Sequence, residues 1–414
     1  MTSPTLDLLH FLAERGHNPT CTDADGLARE ACKGTITGYI GFDATADSLT
    51  IGNMTGLMML RRLQLAGHKP IVLMGGATTL VGDPSGKDES RPLITPEIVT
   101  SNIASIKTGL ARLIRFGEGK TDALLLNNAD WLMGKGYIDM LREVGLHFTI
   151  NRMLTMDSVK LRLDREQPLT FLEFNYMIMQ GYDFVHLRDH YGCTLQMGGS
   201  DQWGNIIQGV ELGRRMKGYE LFGITQPLLT TASGEKMGKS AGNAVWINAN
   251  RKSPYDFWQY WRNCEDADVG RWLRLFTDLP LDEVKRLEAL RDREINDAKK
   301  VLATEVTALV HGREAAEAAA KTAQDAFEKG AIGGDIPVSI LPGPLGQVGI
   351  IDVVVSVGFA SSRGEARKLI QGGGIRLNDE KVADPQLILS DSQFPSGEAK
   401  LSKGQKHIVR LKPA

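Results

Sequence analysis

Cysteine is scarce: four in 414 residues (Cys21, Cys32, Cys193 and Cys264), with no CxxC pair and no cluster with histidine. That excludes a disulfide framework and argues against a zinc site, so a reducing, cytoplasmic setting is expected. Charge of one sign is also missing. Lys and Arg number 48 against 50 Asp and Glu, a net charge of −2, so nucleic-acid binding would need a local basic patch. No apolar run approaches the ~20 residues of a membrane span. The opening "MTSPTLDLLHFLAERG" lacks a basic leader and an uninterrupted apolar stretch, and reads as a first amphipathic helix. No internal repeat or long low-complexity tract is present.

What remains is ordinary globular material, 42% apolar and 24% charged, long enough for two or three domains. Between about 37 and 230, apolar runs such as "KPIVLMGGA" and "DALLLNNADW" end in Gly, Thr, Asn or Asp and are followed by helix-like segments. The alternation predicts an α/β fold, a Rossmann-like parallel sheet with crossover helices and ligands at the carboxyl ends of its strands. From about 253 to 329 the chain is rich in Ala, Glu, Lys and Leu at three- and four-residue spacing, which predicts an α-helical domain. "GAIGGDIPVSILPGPLGQ" reads as a linker, and a small α+β segment closes the chain. The expected domains are 1–245 (with an insertion near 115–190), 246–330, a linker at 331–344, and 345–414.

Two stretches carry possible chemistry. "YIGFDATADSLTIGNM" is a strand, a turn and a helix start, which together offer free backbone N–H groups to an anion. A packing turn explains it equally well. "GEKMGKSAGNAVWI" sets Lys236 and Lys239 three residues apart in a Gly- and Ser-rich segment that could close over a polyphosphate; a solvated basic loop is the plainer alternative. A third pattern is geometric: Tyr176, Gln180 and Asp183, spaced by four and three, fall on one helix face.

Together the two stretches resemble the HIGH and KMSKS signatures of class I aminoacyl-tRNA synthetases, here Thr50-Ile51-Gly52-Asn53 and Lys236-Met237-Gly238-Lys239-Ser240. The blocks "GFDATADSL", "GGATTLVGDPSGK", "FNYMIMQGYDF", "GGSDQWGN" and "SRGEARKLIQGGGIRLN" resemble bacterial tyrosyl-tRNA synthetases, in family order and over nearly the whole chain. The resemblance implies activation of L-tyrosine by ATP, accompanied by Mg2+, to tyrosyl-adenylate, then transfer to tRNA(Tyr) by a homodimer. It implies no dedicated protein metal site and no membrane.

For this chain the resemblance places Tyr39 and Asp183 at the phenolic hydroxyl, and Asp83, Tyr176 and Gln180 at the α-ammonium group. Gln202 falls near the reacting carbonyl. Gly41 and Asp43, with Gly52, approach the α-phosphate side, while Gly198, Gly199 and Asp201 form the adenosine and ribose site. Leu228 and Leu229 pack on adenine, although core burial explains two leucines as well. Thr45, Lys87, Arg91, Lys236 and Lys239 meet the pyrophosphate. A site that bonds a substrate hydroxyl rejects the analogue lacking it by about 10⁴–10⁵-fold, a figure adopted from this same family.

The chain departs from the family where histidines are common, at Thr50 and Asn53. Asn53 is expected to replace an imidazole N–H, and Thr50 to be the weaker donor. Losing one transition-state donor typically costs about 10²–10³-fold in rate. The carboxy-terminal segment resembles an RNA-binding domain first described in a small-subunit ribosomal protein, with Arg363, Arg367, Lys368 and Arg376 facing tRNA, followed by Lys400, Lys403, Lys406, Arg410 and Lys412. The rival readings are a tryptophanyl-tRNA synthetase and a non-catalytic RNA-binding synthetase paralogue.

Overall fold

The computed structural model describes residues 7–84, 94–234, 237, 239–240, 243–328, 337–395, 397–404 and 407–413. They separate into two compact units, Met1–Arg251 with Gly270–Arg286, and Lys252–Val269 with Leu287–Ala414.

The first unit is built on a six-stranded sheet: β1 (Thr20–Cys21), β2 (Thr37–Phe42), β3 (Lys69–Met74), β4 (Leu124–Asn127), β5 (Cys193–Gly199) and β6 (Phe222–Gln226), in the order β1-β6-β5-β2-β3-β4. Five strands are parallel; the two-residue β1 adds an antiparallel edge not foreseen in the sequence. "KPIVLM" in β3 is almost continuously apolar because helices cover both faces of a parallel sheet. The chain runs from β2 outward to β3 and β4, then returns to β5 on the other side of β2. The crevice between the carboxyl ends of β2 and β5 is therefore the topological switch point at which such sheets bind ligands.

Three helices frame that crevice: Ile51–Leu65, Tyr176–Tyr191 and Trp203–Lys217. The first buries Met54, Leu57, Met58 and Leu63. The second ends at Gly192, whose left-handed φ of 65° turns the chain directly into β5.

Residues 270–286, expected with the helical domain, instead return to the first unit. Arg62 is wholly buried there and ion-pairs with Asp278, which Arg61 Nε also binds at 2.8 Å, while Arg15 Nη1 donates to the carbonyl of Leu279 at 2.8 Å. Burial would raise the Asp278 carboxyl, but the two arginines outweigh it and hold it below its usual range.

In the second unit, Pro254–Arg262, Ile295–His311 and Arg313–Glu328 are helices whose buried residues include Phe257, Trp261, Leu302, Val306 and Ala316. Trp258 Nε1 donates to Thr304 Oγ1 at 3.0 Å. After β7 (Lys239–Ser240) and β8 (Asn243–Ala244) of the first unit, the remaining strands form one carboxy-terminal sheet. These are β9 (Val338–Ile340), β10 (Ile375–Leu377), β11 (Glu380–Lys381), β12 (Ala399–Lys403) and β13 (His407–Lys412), ordered β11-β10-β12-β13-β9. β9 corrects the sequence reading: 338–340, assigned to a linker, pair in parallel with Arg410–Lys412 as an edge strand. Helices Ile350–Ser356 and Arg363–Gln371 pack on this sheet around Ile370, Ile375, Leu401 and Leu411. Among the described residues no helix is long and apolar enough to cross a membrane.

Candidate active site

At the switch point lies a cavity of about 660 Å³, bounded by the ends of β2, β5 and β6 and by the starts of the Ile51–Leu65 and Tyr176–Tyr191 helices. It brings together Tyr39, Gly41, Asp43, Thr45, Thr50, Gly52, Asn53, Asp83, Tyr176, Gln180, Asp183, Gly198, Gly199, Asp201, Gln202, Leu228 and Leu229. Lys87, Arg91, Lys236 and Lys406 lie outside the described residues, as does the side chain of Lys239.

One end of the cavity is deeply buried. Asp183 accepts from Asn128 Nδ2 at 2.9 Å and from Trp131 Nε1 at 2.7 Å, one donor on each oxygen. Burial drives its carboxyl up to about 7, while those two donors pull it down. Asn128 is itself fixed, giving its second amide hydrogen to Thr78 Oγ1 and accepting from the backbone N–H of Ala77, both at 2.9 Å. Tyr39 is 1% exposed and its hydroxyl is buried without a hydrogen-bond partner among the described residues; burial and the neighbouring Asp183 raise it well above its ordinary value. A buried phenolic O–H next to a carboxylate is a group that a polar atom of an occupant can pair with.

A middle zone is a web of amides. Gln202 Nε2 donates to Asp83 Oδ2 at 2.8 Å, and Asn205 Nδ2 donates to Gln180 Oε1 at 3.0 Å. Tyr176 reaches Asp43 Oδ1 at 3.4 Å.

The opposite end is open. Among the described residues an added Cβ at Gly41 would meet nothing within 4 Å, whereas at Gly199 it would crowd Asp201 Oδ1 at 2.6 Å and Leu228 at 3.0 Å. Gly41 thus leaves the cavity clear, and Gly199 permits tight packing of the wall. Leu228 is 43% exposed, which removes the core-burial explanation and leaves an apolar lip on the cavity.

Thr50 and Asn53 are bonded to each other. The backbone N–H and the hydroxyl of Thr50 both donate to Asn53 Oδ1, at 3.0 and 2.8 Å. Because a backbone N–H only donates, the facing atom is the amide oxygen, and the NH2 end of Asn53 is left as the donor. In this structure the Thr50 O–H is engaged within the helix cap.

The lysine segment is tied to this turn. Met237 N–H donates to the Leu229 carbonyl at 3.1 Å, and Met237 is buried on the cavity. Downstream, Ile51 N–H donates to Val245 O and Ile247 N–H to Leu49 O, both at 2.9 Å, bridging 245–247 to the start of the Ile51–Leu65 helix. Lys239 and Ser240 form a two-residue ladder with Asn243 and Ala244.

Sequence reasoning missed Asn128, Trp131, Thr78 and Gln226. Gln226 lines the cavity and meets buried His17 Nδ1 at 2.6 Å.

On the carboxy-terminal sheet and its helix, Arg363, Arg367, Lys368 and Arg376 are exposed. Arg363 pairs with Asp352 at 2.9 Å. Lys400 and Arg410 are corrections to the basic face: Lys400 is 4% exposed and held by Asp379 at 2.8 Å, and Arg410 sits on Glu398 at 3.3 Å.

A nucleotide-sized crevice at a Rossmann switch point, with a capped helix start and a late lysine segment anchored beside it, defines a class I synthetase catalytic domain. Residues 31–328 match the family of class I tRNA synthetases (W and Y), and residues 350–393 match the S4 domain. The chain belongs to that synthetase family, on its tyrosine branch. It is 56% identical to a tyrosine–tRNA ligase of Bradyrhizobium diazoefficiens over the full length of both chains. It is 57% identical to one of Novosphingobium aromaticivorans over 98% of this chain and 99% of that one. A truncated mitochondrial tyrosyl-tRNA synthetase of Aspergillus nidulans superposes with a TM-score of 0.69 at 31% identity, over 77% of this chain and 94% of that one.

Proposed function

We propose that the chain activates L-tyrosine with ATP and passes the tyrosyl group to the 3′ end of tRNA(Tyr). The observation that carries the choice of amino acid is the buried, unpartnered Tyr39 hydroxyl next to Asp183. A phenolic substrate completes it: its O–H donates to Asp183 and its oxygen accepts from Tyr39. Tryptophan offers a donor but no such acceptor, and phenylalanine offers neither.

Asp83, Tyr176 and Gln180 surround the α-ammonium group, with Gln202 turned to the carboxylate. The tyrosine carboxylate, already an anion, attacks the α-phosphorus in line, a P–O bond forms, and the electron pair leaves on pyrophosphate. No enzyme nucleophile or general base is needed, so catalysis is alignment plus stabilisation of charge on the leaving group. Gly41 gives the α-phosphate room, Gly199 and Asp201 take the ribose, and Leu228 the adenine face. The NH2 of Asn53 supplies a donor, with Lys87, Arg91, Lys236 and Lys239 at the pyrophosphate. Mg2+ arrives on the nucleotide phosphates as part of the substrate.

A homodimer is supported by the apolar face between 133 and 172. Met133, Tyr137, Ile138, Leu146, Ile150 and Phe171 are each at least 60% exposed there, far more than a monomer tolerates in one region. The exposed Arg363, Arg367, Lys368 and Arg376 support tRNA contact, with an affinity that falls steeply with salt. Four free cysteines accord with a cytoplasmic site of action.

ATP–pyrophosphate exchange with tyrosine, phenylalanine and tryptophan supplied separately tests the reading. Exchange with tyrosine alone is expected; exchange with tryptophan alone, or with none while tRNA binding persists, overturns it.

A further inference from the structure

The helix that carries Asp183 holds Trp131 twice. Asp183 Oδ1 accepts the indole N–H at 2.7 Å. One turn later the His186 ring lies against the indole face, with centroids 4.3 Å apart and planes 15° from parallel. His190 extends the stack, 4.0 Å beyond His186 at 20°. Its Nδ1 meets the His186 carbonyl at 3.0 Å; because a carbonyl only accepts, that nitrogen carries the hydrogen and the second ring is fixed in turn. Asp183, His186 and His190 stand at i, i+3 and i+7, one face of the Tyr176–Tyr191 helix.

We propose that His186 is a positioning residue for amino-acid selection: its ring, backed by His190, fixes the plane of Trp131 so that the indole N–H stays on the carboxylate that reads the substrate hydroxyl. The inference rests on the tyrosine reading given above. A single hydrogen bond leaves the indole free to pivot about it, whereas a bond at the edge and a ring on the face together define the plane. Aromatic pairs in favourable geometries add about two- to tenfold to an equilibrium beyond their buried area.

The ring stacks as a neutral group. Burial, reinforced by the facing His190, pushes His186 down to about 4, with Lys135 acting the same way and Asp189 opposing. The groups facing Asp183 are Tyr39, Asn128 and Trp131, with the buried Cys193 near Tyr39. Of these, the indole N–H is one of the two that keep the carboxyl from rising further.

ATP–pyrophosphate exchange by the full chain is to be compared for wild type, His186→Ala, His186→Phe, Trp131→Phe and the His186→Ala/Trp131→Phe pair. With His186→Ala, the KM for tyrosine rises about three- to tenfold, the KM for ATP stays put, and preference for tyrosine over phenylalanine falls by the same factor. The pH midpoint for tyrosine binding moves to higher pH, because a poorly held indole stabilises the charged carboxylate less. His186→Phe recovers most of the loss. In the Trp131→Phe background, which lacks the N–H, His186→Ala adds nothing. A parallel rise in the KM for ATP, an unmoved pH midpoint, or failure of phenylalanine to rescue overturns the role of His186. Wild type that shows no preference for tyrosine overturns the site reading instead. Should His186→Ala not fold, His186→Gln, of similar length but without a ring, decides by the same readouts.

Discussion

The two ends of the cavity are built on opposite plans. At the Asp183 end, Asp183, Tyr39 and Asn128 are 2%, 1% and 1% exposed, and each carboxylate oxygen already has a donor. At the Thr50 end, Gly52 and Asn53 are exposed, Gly41 faces open space, and the wall is largely backbone and small side chains. The first plan gives selectivity, since a buried unpaired group penalises a wrong occupant. The second gives tolerance. On the proposed reading phosphates are met by several weak donors, so that two histidines common in the family can be replaced without dismantling the helix start.

Breaking the comparison at its strict end has the largest expected effect. Asp183→Ala should reduce tyrosine-over-phenylalanine preference by about 10⁴-fold, the discrimination typical of this family and adopted from it. In wild type, tyrosine affinity should fall as pH drops through about 7, the value to which burial raises the Asp183 carboxyl, because the protonated acid is a weaker acceptor for the substrate hydroxyl than the carboxylate. Steady-state KM for tyrosine between pH 5.5 and 8.5 checks this; a flat profile would sink it.

At the permissive end, Gly41→Val should fill the space meant for phosphate and lower kcat/KM for ATP by about 10²-fold, with the KM for tyrosine little changed. Asn53→Ala removes the NH2 donor, and kcat should fall by about 10²-fold.

The third effect is on stability. His17 is held at about 4, chiefly by burial, with Arg62 adding to the depression and the Gln226 bond opposing it. Its depressed value means that its contribution to folding is full above about 6.5 and is lost as pH falls towards 4, roughly 3 kcal/mol over that window. Urea titrations at pH 7 and 4.5 should show this loss in wild type and a shallower one in His17→Leu. Equal losses would place the acid sensitivity elsewhere.

The smallest effect belongs to Thr50. Thr50→Val should raise the KM for ATP only about threefold, and Thr50→Ser should act as wild type, because the hydroxyl serves the cap and no other group. A 10²-fold fall in kcat would make Thr50 a direct ligand after all.

Much of the strict end was legible because helix period is a reliable ruler: Tyr176, Gln180 and Asp183 meet in one cavity as their spacing requires. Asn128 and Trp131 were not legible, since an Asn after an apolar strand reads as a turn and a Trp as core. Only the fold brings them onto Asp183, from 55 and 52 positions away respectively. The Thr50–Asn53 bond has a local signal in the sequence: a threonine with a carboxamide three residues on, at a helix start, is a variant capping box. In the carboxy-terminal sheet, "AKLSK" hides a buried strand because Lys400 looks like surface until Asp379 is found opposite it. β9 was concealed between prolines that permit only an edge position.

The Thr50–Asn53 contact also bears on how such a site can change by descent. Each residue supplies what the other lacks, donors from one and an acceptor from the other, so the pair forms one unit of variation. Thr50→His alone would leave the Asn53 oxygen with only the backbone N–H of residue 50 to orient it, and Asn53→His alone would leave the threonine hydroxyl seeking a new acceptor. Routes between this pair and the two-histidine form therefore pass through intermediates poorer than either end, and a lineage that has crossed once is expected to keep both substitutions together.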